Sequence, residues 1–356
     1  MHVIVHIGQP KAGSSAIQMA LRAEGEGLRQ QGVRVGPLQR TLSLALHGND
    51  VVHNVAGLRL KYGSMDKARA ESEEAWKRFA HRIETDRPPI VLLSSEHFLE
   101  SPQALLTRLR KLFEKISILC YVREPVSHYV SAIDQQIRGG DALEVIPPPG
   151  ERPFRMPSRI RSYKQHIGQD ELVIRNFDRA NLEGGDVVLD FFEQVSRLAG
   201  REIAPQHPPK RTNESLCGAA TAWMLTLNST FRRQTADPVS VKLRQSLIAH
   251  LRAADSLKDL PRVKLTDPVL VNAIRSATAE DCRWLNETVL QGQVPLEVGE
   301  PGPAPDPAEL RARMQDWLMS YLTPEATALV AREVLAHRPV IAPAAKAGKT
   351  PAAKTA

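Results

Sequence analysis

The residues best suited to chemistry begin just after the first apolar run of the chain. The segment from Gly8 to Ser15 reads GQPKAGSS and lies between a strand-like run and a helix-like run. A turn of this kind points several backbone N–H groups and a helix N-terminus at one place, and both favour anions. Lys11 and the two serine hydroxyls add a cation and further donors. The loop therefore predicts a site for a phosphate-like group.

The position of the lysine sets this loop apart from the loop of nucleoside triphosphatases. Their pattern, GxxxxGK[ST], has lysine directly after the second glycine. Here Ser14 follows Gly13, and the lysine lies earlier, as Lys11. At the crest of the loop, the cation can reach the bridging oxygen of a leaving group. A kinase or nucleoside triphosphatase is therefore a disfavoured alternative, and a glycine-rich turn without a ligand is another.

A second anion-binding pattern follows a later apolar run, in the sequence CYVREPVSHYVS. Arg123 ends the run, proline opens a helix, and Ser131 comes eight residues after the arginine. Open α/β sheets bind ligands at the carboxyl ends of their strands, so Arg123 would leave the sheet at the binding edge. Its guanidinium can hold two phosphate oxygens, and Ser131 adds a donor. A helix-capping Arg–Glu pair with a surface serine is the alternative.

Together the two motifs resemble those of the sulfotransferases that use 3′-phosphoadenosine 5′-phosphosulfate (PAPS). In that family, PKxG[ST][ST] after the first strand binds the 5′-phosphosulfate, which implies binding roles for Gly8, Lys11, Ala12, Gly13, Ser14 and Ser15. The family's R-[DE]-P element binds the 3′-phosphate, which implies that role for Arg123 and Ser131. Weaker similarities point to bacterial members, whose acceptors are commonly carbohydrates; they lie at 173–177, 184–192 and 211–216.

The resemblance implies transfer of a sulfuryl group from PAPS to a hydroxyl or amine of a glycan or glycolipid, with no metal required. Lys11 would stabilise charge on the departing phosphate. Glu96 is the leading candidate for the base, because family members place a His or Glu base near the nucleotide. Glu96 could equally cap the following helix. His47 and His53 are the rival candidates, although a loop histidine is more often simply solvated. His97 is adjacent to Glu96 but would point elsewhere if the segment stays extended. All three histidines are expected to contact the acceptor.

The elements that must position these residues alternate between strand and helix. Apolar runs predict strands at 2–7, 33–36, 90–95, 117–122 and 171–175. Helical patterns follow them at 14–23, 66–85, 102–113, from 125 onward, 158–167 and 186–198. Continuous apolar strands separated by helices predict a P-loop-type three-layer α/β/α domain around a mainly parallel sheet. From 213 to about 290 the pattern is mostly helical and would complete the acceptor side.

The domain organisation follows from these patterns. We expect one sulfotransferase domain over 1–290 and a helical extension over 291–340, entered through a Pro/Gly-rich linker at 295–308. The Ala/Pro/Lys tail at 341–356 is predicted to be disordered. The acceptor site is expected to be shaped by the irregular loop at 139–157 and by the region 47–64, which contains Gly, His and Arg.

Composition limits the classes of partner. The 356 residues are 42% hydrophobic and 24% charged, as in an ordinary soluble protein. Of the net charge of +7, three lysines lie in the tail, and aromatics are only 5%, which argues against nucleic acid. A non-catalytic nucleotide or polyanion binder is the remaining alternative. Three scattered cysteines fit a reducing compartment. With no targeting signal and no run of about 18–20 apolar residues, we expect a cytoplasmic protein without a membrane span.

Overall fold

The computed structural model describes residues 1–36, 61–168, 171–208, 215–230, 238–300, 302 and 305–338. The described residues form two compact units. The first unit takes its residues from Met1–Ile133, Pro147–Asn213 and Lys264–Met314. The second unit takes them from Asp134–Ile146, Glu214–Val263 and Gln315–Ala356.

A five-stranded sheet forms the centre of the first unit. Its strands are β1 (His2–His6), β2 (Val33–Val35), β3 (Ile90–Ser94), β4 (Lys115–Val122) and β5 (Leu172–Asn176). Their order is β2-β3-β1-β4-β5, and all neighbours run parallel. The buried β1 pairs with β3 on one side and β4 on the other, which its apolar run Val3–Val5 permits because no polar face is needed. The predicted parallel sheet is confirmed.

The helices account for most of the other described residues. They are α1 (Ser14–Ala23), α2 (Gly25–Gln30), α3 (Met65–Asp86), α4 (Pro102–Leu109), α5 (Pro125–Gly139), α6 (Met156–Lys164), α7 (Val187–Ala199), α8 (Gly218–Thr230), α9 (Pro238–Ala253), α10 (Pro268–Ala277), α11 (Ala279–Thr288), α12 (Pro307–Met319) and α13 (Pro324–Ala336). None of these helices is both long and apolar enough to cross a membrane.

Both faces of the sheet are covered, which gives the predicted three layers. Val3 and Val5 share one hydrophobic cluster with residues of α3, α4, α6 and α11. Ile4 points to the other face and shares a second cluster with residues of α1, α2 and α7. Successive residues of a strand alternate between faces, so one apolar strand supplies both cores. The α/β/α architecture is therefore confirmed.

Some element boundaries differ from the predicted ones. The helix predicted over 102–113 ends at Leu109, after which residues 110–112 form a turn. The helix predicted over 158–167 starts two residues earlier, at Met156, because Pro157 is favourable in a first helical turn. The stretch 139–157, predicted as irregular, contains a short 3₁₀ helix at Leu143–Val145.

The described part of the second unit is helical, as predicted for the C-terminal region. α13 packs against both α8 and α9. Asn228 of α8 donates its amide N–H groups to the carbonyls of Ile137 (2.8 Å) and Asp141 (2.7 Å), and its own Oδ1 accepts from Arg244 at 2.7 Å. These contacts hold the chain just after α5. The proposed division at 290 stays a prediction.

Candidate active site

The order of the strands brings the candidate segments to one edge of the sheet. β1 lies between β3 and β4, so the loop that follows it lies between the segments that follow those two strands. The pairing extends past β1, because the Ile7 N–H donates to the Leu119 carbonyl at 2.9 Å and the Ser95 N–H donates to the His6 carbonyl at 3.1 Å. This is the carboxyl edge, where parallel α/β sheets bind ligands.

The loop after β1 has an unusual backbone. The Gln9 carbonyl accepts the Ala12 N–H at 3.1 Å and closes a tight turn. Lys11 has a φ of 72° and Gly13 a φ of 82°, both in the left-handed region. A left-handed conformation costs a non-glycine residue such as Lys11 about 1–3 kcal/mol, so its surroundings must hold it there. Gly13 then caps α1, accepting the Ala16 N–H at 2.9 Å.

The loop is tightly packed around its small residues. A methyl group on Gly8 would lie 2.1 Å from Ser14 Oγ, so glycine is required for this close approach. Ser14 is buried and its hydroxyl lies 3.5 Å from the Gln9 carbonyl oxygen. Ala12 is also buried, whereas Ser15 is exposed on the first turn of α1. Of the two predicted hydroxyl donors, Ser15 is accessible and Ser14 lies against the loop itself.

Arg123 is brought directly to this loop. Its backbone N–H donates to Gln9 Oε1 at 2.7 Å, and its Nη1 donates to the Lys11 carbonyl at 2.8 Å. Its Nε donates to Ser127 Oγ at 3.1 Å, and its guanidinium carbon lies 5.7 Å from the centre of the Phe177 ring. Burial lowers the pKa of Arg123 from its ordinary value. Two predicted cationic residues from different strands therefore meet at one place.

Two residues that follow Arg123 in the sequence, Glu124 and Ser131, differ in what they contact. The Glu124 carboxylate accepts the N–H groups of Val126 (2.9 Å) and Ser127 (2.7 Å), so it caps α5. The alternative of a helix-capping pair therefore holds for Glu124, while Arg123 turns to the loop. Ser131 lies two turns along α5 and is half-buried, with no hydrogen bond to the loop among the described residues.

Two residues of this site were not identified from the sequence. Gln9 is buried and holds Arg123, as described above. The His128 ring interacts with the carbonyl of Pro10, and its pKa is lowered to about 4, mainly by burial and then by nearby positive charge. The spacing of His128 could have identified it from the sequence, because it lies three residues before Ser131 and therefore on the same helix face.

The candidate base begins a 3₁₀ helix, Glu96–Glu100, directly after β3. Ser95 Oγ accepts the His97 N–H at 3.2 Å and so caps this 3₁₀ helix. The following α-helix, α4, has Ser101 at its N-cap position and no side-chain cap hydrogen bond. Glu96 and His97 are both half-buried at the binding edge. The role of Glu96 as a base stays a prediction. His47 and His53 lie outside the described residues.

An apolar groove of about 310 Å³ begins beside the loop. Its first lining residue, Ala16, lies in the first turn of α1, and the groove continues along that helix to Ala23. Its complete lining is Ala16, Met19, Ala20, Ala23, Glu24, Val188, Pro205, His207 and Pro208. Within this lining, the Glu24 carboxylate accepts from His207 Nδ1 at 2.9 Å and from two backbone N–H groups. A flat, largely apolar group next to a bound anion would fit this groove.

In the described ranges of the chain, metal binding would need clustered ligand side chains, and thiol chemistry would need an ionised cysteine. Within these ranges, no three His, Cys, Asp or Glu side chains come together in a way that could hold a metal ion. Cys120, Cys217 and Cys282 are buried free thiols, and burial raises the pKa of Cys120 to about 12 and of Cys282 to about 11. These thiols therefore stay protonated near neutral pH.

The fold is a three-layer α/β/α domain with a tight, glycine-containing loop after its first strand. No protein-family model matches the chain, and no curated protein matches it. Solved structures that resemble it include a sulfotransferase from Alicyclobacillus acidocaldarius, at 13% identity and a TM-score of 0.37, covering 64% of this chain and 92% of that one. The sulfotransferase domain of the Synechococcus PCC 7002 olefin synthase has 12% identity, a TM-score of 0.37, and coverages of 88% and 94%. The sulfotransferase domain of the curacin biosynthetic pathway has 10% identity, a TM-score of 0.37, and coverages of 88% and 96%. These similarities are too low to bear on activity.

Proposed function

We propose that the chain is a sulfotransferase that moves a sulfuryl group from PAPS to a hydroxyl or amine of a carbohydrate or glycolipid. The observation that carries this proposal is the contact between Arg123 Nη1 and the Lys11 carbonyl, at 2.8 Å. It joins two anion-binding elements that are far apart in sequence. A donor with phosphates at two positions of its ribose would use both, whereas a nucleoside triphosphate would need only the loop.

The apolar groove supports a nucleotide as the donor. It starts at Ala16, only one residue beyond Ser15 of the loop. A phosphosulfate held by the loop would place the attached nucleoside close to this groove, whose apolar walls suit the faces of a purine ring. The loop, Arg123 and the groove would then each hold one part of the donor.

The chemistry is an in-line displacement at sulfur. A bond forms from the acceptor oxygen or nitrogen to sulfur, and the bond from sulfur to the 5′-phosphate oxygen breaks. Lys11 and the loop N–H groups stabilise the charge that grows on the departing phosphate. Glu96 accepts the proton that the acceptor loses. The products are the sulfated acceptor and 3′-phosphoadenosine 5′-phosphate.

Calorimetric titration with adenosine 3′,5′-bisphosphate tests the donor site. Lys11→Ala and Arg123→Ala should each weaken binding about tenfold or more, because each removes a charged contact to a phosphate. Lys77→Ala, at an exposed position of α3, is the control and should change nothing. If ATP with Mg²⁺ raised the melting temperature more than the bisphosphate did, a kinase or nucleoside triphosphatase would be the better assignment. Steeply salt-dependent binding of nucleic acid would favour a polyanion binder.

Isotopically labelled PAPS tests the reaction itself. The protein is incubated with a panel of glycans and glycolipids, and we expect label in at least one product. Glu96→Gln, which keeps the size of the side chain, should abolish transfer and leave bisphosphate binding within about twofold of the original. The absence of label from every acceptor class would refute the activity. Transfer at the original rate by the Glu96 variant would refute the assigned base.

A further inference from the structure

Gln9 is placed to connect the two anion-binding elements. It lies two residues before Lys11, and its side chain is buried in the first unit. Its main-chain carbonyl accepts the Ala12 N–H at 3.1 Å, which shapes the loop. Its side-chain Oε1 accepts the Arg123 N–H at 2.7 Å, which ties the loop to the end of β4. Gln9 therefore holds both the turn of the loop and the backbone of Arg123.

The segment that leaves β4 returns these contacts. Arg123 Nη1 donates to the Lys11 carbonyl at 2.8 Å, and the His128 ring interacts with the carbonyl of Pro10. Three consecutive residues of the loop, Gln9 to Lys11, are thus held by one strand end and the helix that follows it. These contacts explain how Lys11 keeps its left-handed φ of 72°, which a non-glycine residue does not adopt without support.

Arg123 can support the loop and bind a ligand at the same time. Its Nε is used by Ser127 Oγ, and one N–H of Nη1 is used by the Lys11 carbonyl. A guanidinium carries more donors than these two contacts consume, so others remain for a phosphate oxygen. Because Gln9 accepts the backbone N–H of Arg123, it fixes the position of the backbone from which the Arg123 side chain extends.

We propose that Gln9 is a positioning residue that makes the loop and Arg123 one anion-binding unit, so that occupation of either site strengthens the other. This inference rests on the proposed function, because it assigns one phosphate of the donor to each element. Without the Gln9 acceptor, the buried Arg123 N–H loses its partner, and the two elements stay connected only through the side chains of Arg123 and His128. The contribution of the second phosphate to binding should then fall.

The test compares two nucleotides that differ only in the 3′-phosphate. Adenosine 5′-phosphate and adenosine 3′,5′-bisphosphate are titrated calorimetrically into the original protein, Gln9→Met and the control Gln103→Met, which changes an exposed residue of α4. The ratio of the two affinities measures the gain from the 3′-phosphate. We expect this ratio to fall about tenfold in the Gln9 variant, the equivalent of one lost hydrogen bond in a buried site, and to stay unchanged in the control.

Arg123→Ala provides the second measurement and also decides the matter if the Gln9 variant does not fold. Because Arg123 supports the Lys11 carbonyl, its loss should weaken even adenosine 5′-phosphate by about fivefold, although that nucleotide has no 3′-phosphate. Unchanged binding of the monophosphate by this variant, or an unchanged affinity ratio in a folded Gln9 variant, would overturn the inference. Failure of the original protein to bind either nucleotide would instead overturn the proposed function.

Discussion

Replacing Gly13 with alanine tests the backbone on which the candidate site depends. Gly13 has a φ of 82°, in the left-handed region. A methyl group there would lie 2.9 Å from the Phe177 ring and 2.9 Å from a methyl group of Val187. The substitution therefore combines two separate penalties, backbone strain and steric overlap, and a second glycine of the chain allows them to be separated.

The magnitude follows from the two penalties. An L-residue in the left-handed conformation costs about 1–2 kcal/mol. Forcing a methyl group into a well-packed core costs about 1–3 kcal/mol more. Gly200, at the end of α7, has a φ of 68° but nothing within 4 Å of the added methyl position. Gly200→Ala therefore carries only the strain, and both variants share the same entropy change in the unfolded chain.

Urea titration followed by circular dichroism gives the free energy of unfolding for both variants. We expect Gly13→Ala to lose about 2–5 kcal/mol and Gly200→Ala about 1–2 kcal/mol. Only the first should also lose binding of adenosine 3′,5′-bisphosphate. Equal losses of stability would show that Phe177 and Val187 leave room at Gly13. Retained nucleotide binding by Gly13→Ala would refute the link between this turn and the anion site.

Two further predictions concern the buried polar groups under the site. Asp190 is 1% exposed and accepts from Arg175 Nη2 at 2.6 Å, so Asp190→Asn should lower the free energy of unfolding by about 3 kcal/mol in urea titrations. Glu26→Gln, which breaks an exposed ion pair, should have no measurable effect, and similar losses in both variants would contradict this reasoning. Burial lowers the pKa of His6 to about 3, so the unfolded chain binds more protons than the folded chain between pH 3 and 6.5. Stability should therefore fall by about 2 kcal/mol from pH 7 to pH 5 on account of this residue, and an equal pH dependence in His6→Gln would contradict it.

The fold could be predicted from the sequence because the patterns that specify it are local. The three central strands each contain a short, continuous apolar run, as in Ile90–Ser94, and such runs between helices specify a covered parallel sheet. The two anion-binding motifs were readable for the same reason, since each lies at one strand-to-helix junction. Their residue types and spacing depend on neither the order of the strands nor the path of the rest of the chain.

The contacts between the motifs were not readable, because they depend on the order of the strands. Only the position of β1 beside β4 brings Gln9 to the backbone of Arg123. A glutamine in a loop is usually solvated, so the residue type of Gln9 does not predict that it is buried. The same holds for the Lys11 carbonyl, which becomes an acceptor only because a positive φ turns the backbone at that residue.

His128 provides a pH signature that only an occupied site would produce. In the ligand-free protein its pKa is about 4, lowered first by burial and then by the positive charges of Arg152, Arg123 and Lys11. A bound nucleotide would bring phosphate charge to Lys11 and Arg123 and would cancel part of that potential. The pKa of His128 should then rise in the complex, because the contributions of Arg123 and Lys11 are offset while those of burial and Arg152 remain. Because linkage is reciprocal, protonation of His128 must strengthen nucleotide binding by the same factor.

The sign of this effect distinguishes it from protonation of the phosphate. The second pKa of a phosphate lies near 6, so acid alone weakens binding to cations. Phosphate protonation affects the original protein and the His128→Gln variant equally, because both bind the same ligand. The ratio of their affinities therefore reports on His128 alone. From pH 7 to pH 5, the affinity of the original protein for adenosine 3′,5′-bisphosphate should therefore rise relative to that of the variant. Titrations in two buffers with different heats of ionisation should show more proton uptake by the original protein. A constant affinity ratio would mean that the phosphates do not bind beside His128, and the loop after β1 would then lose its assignment.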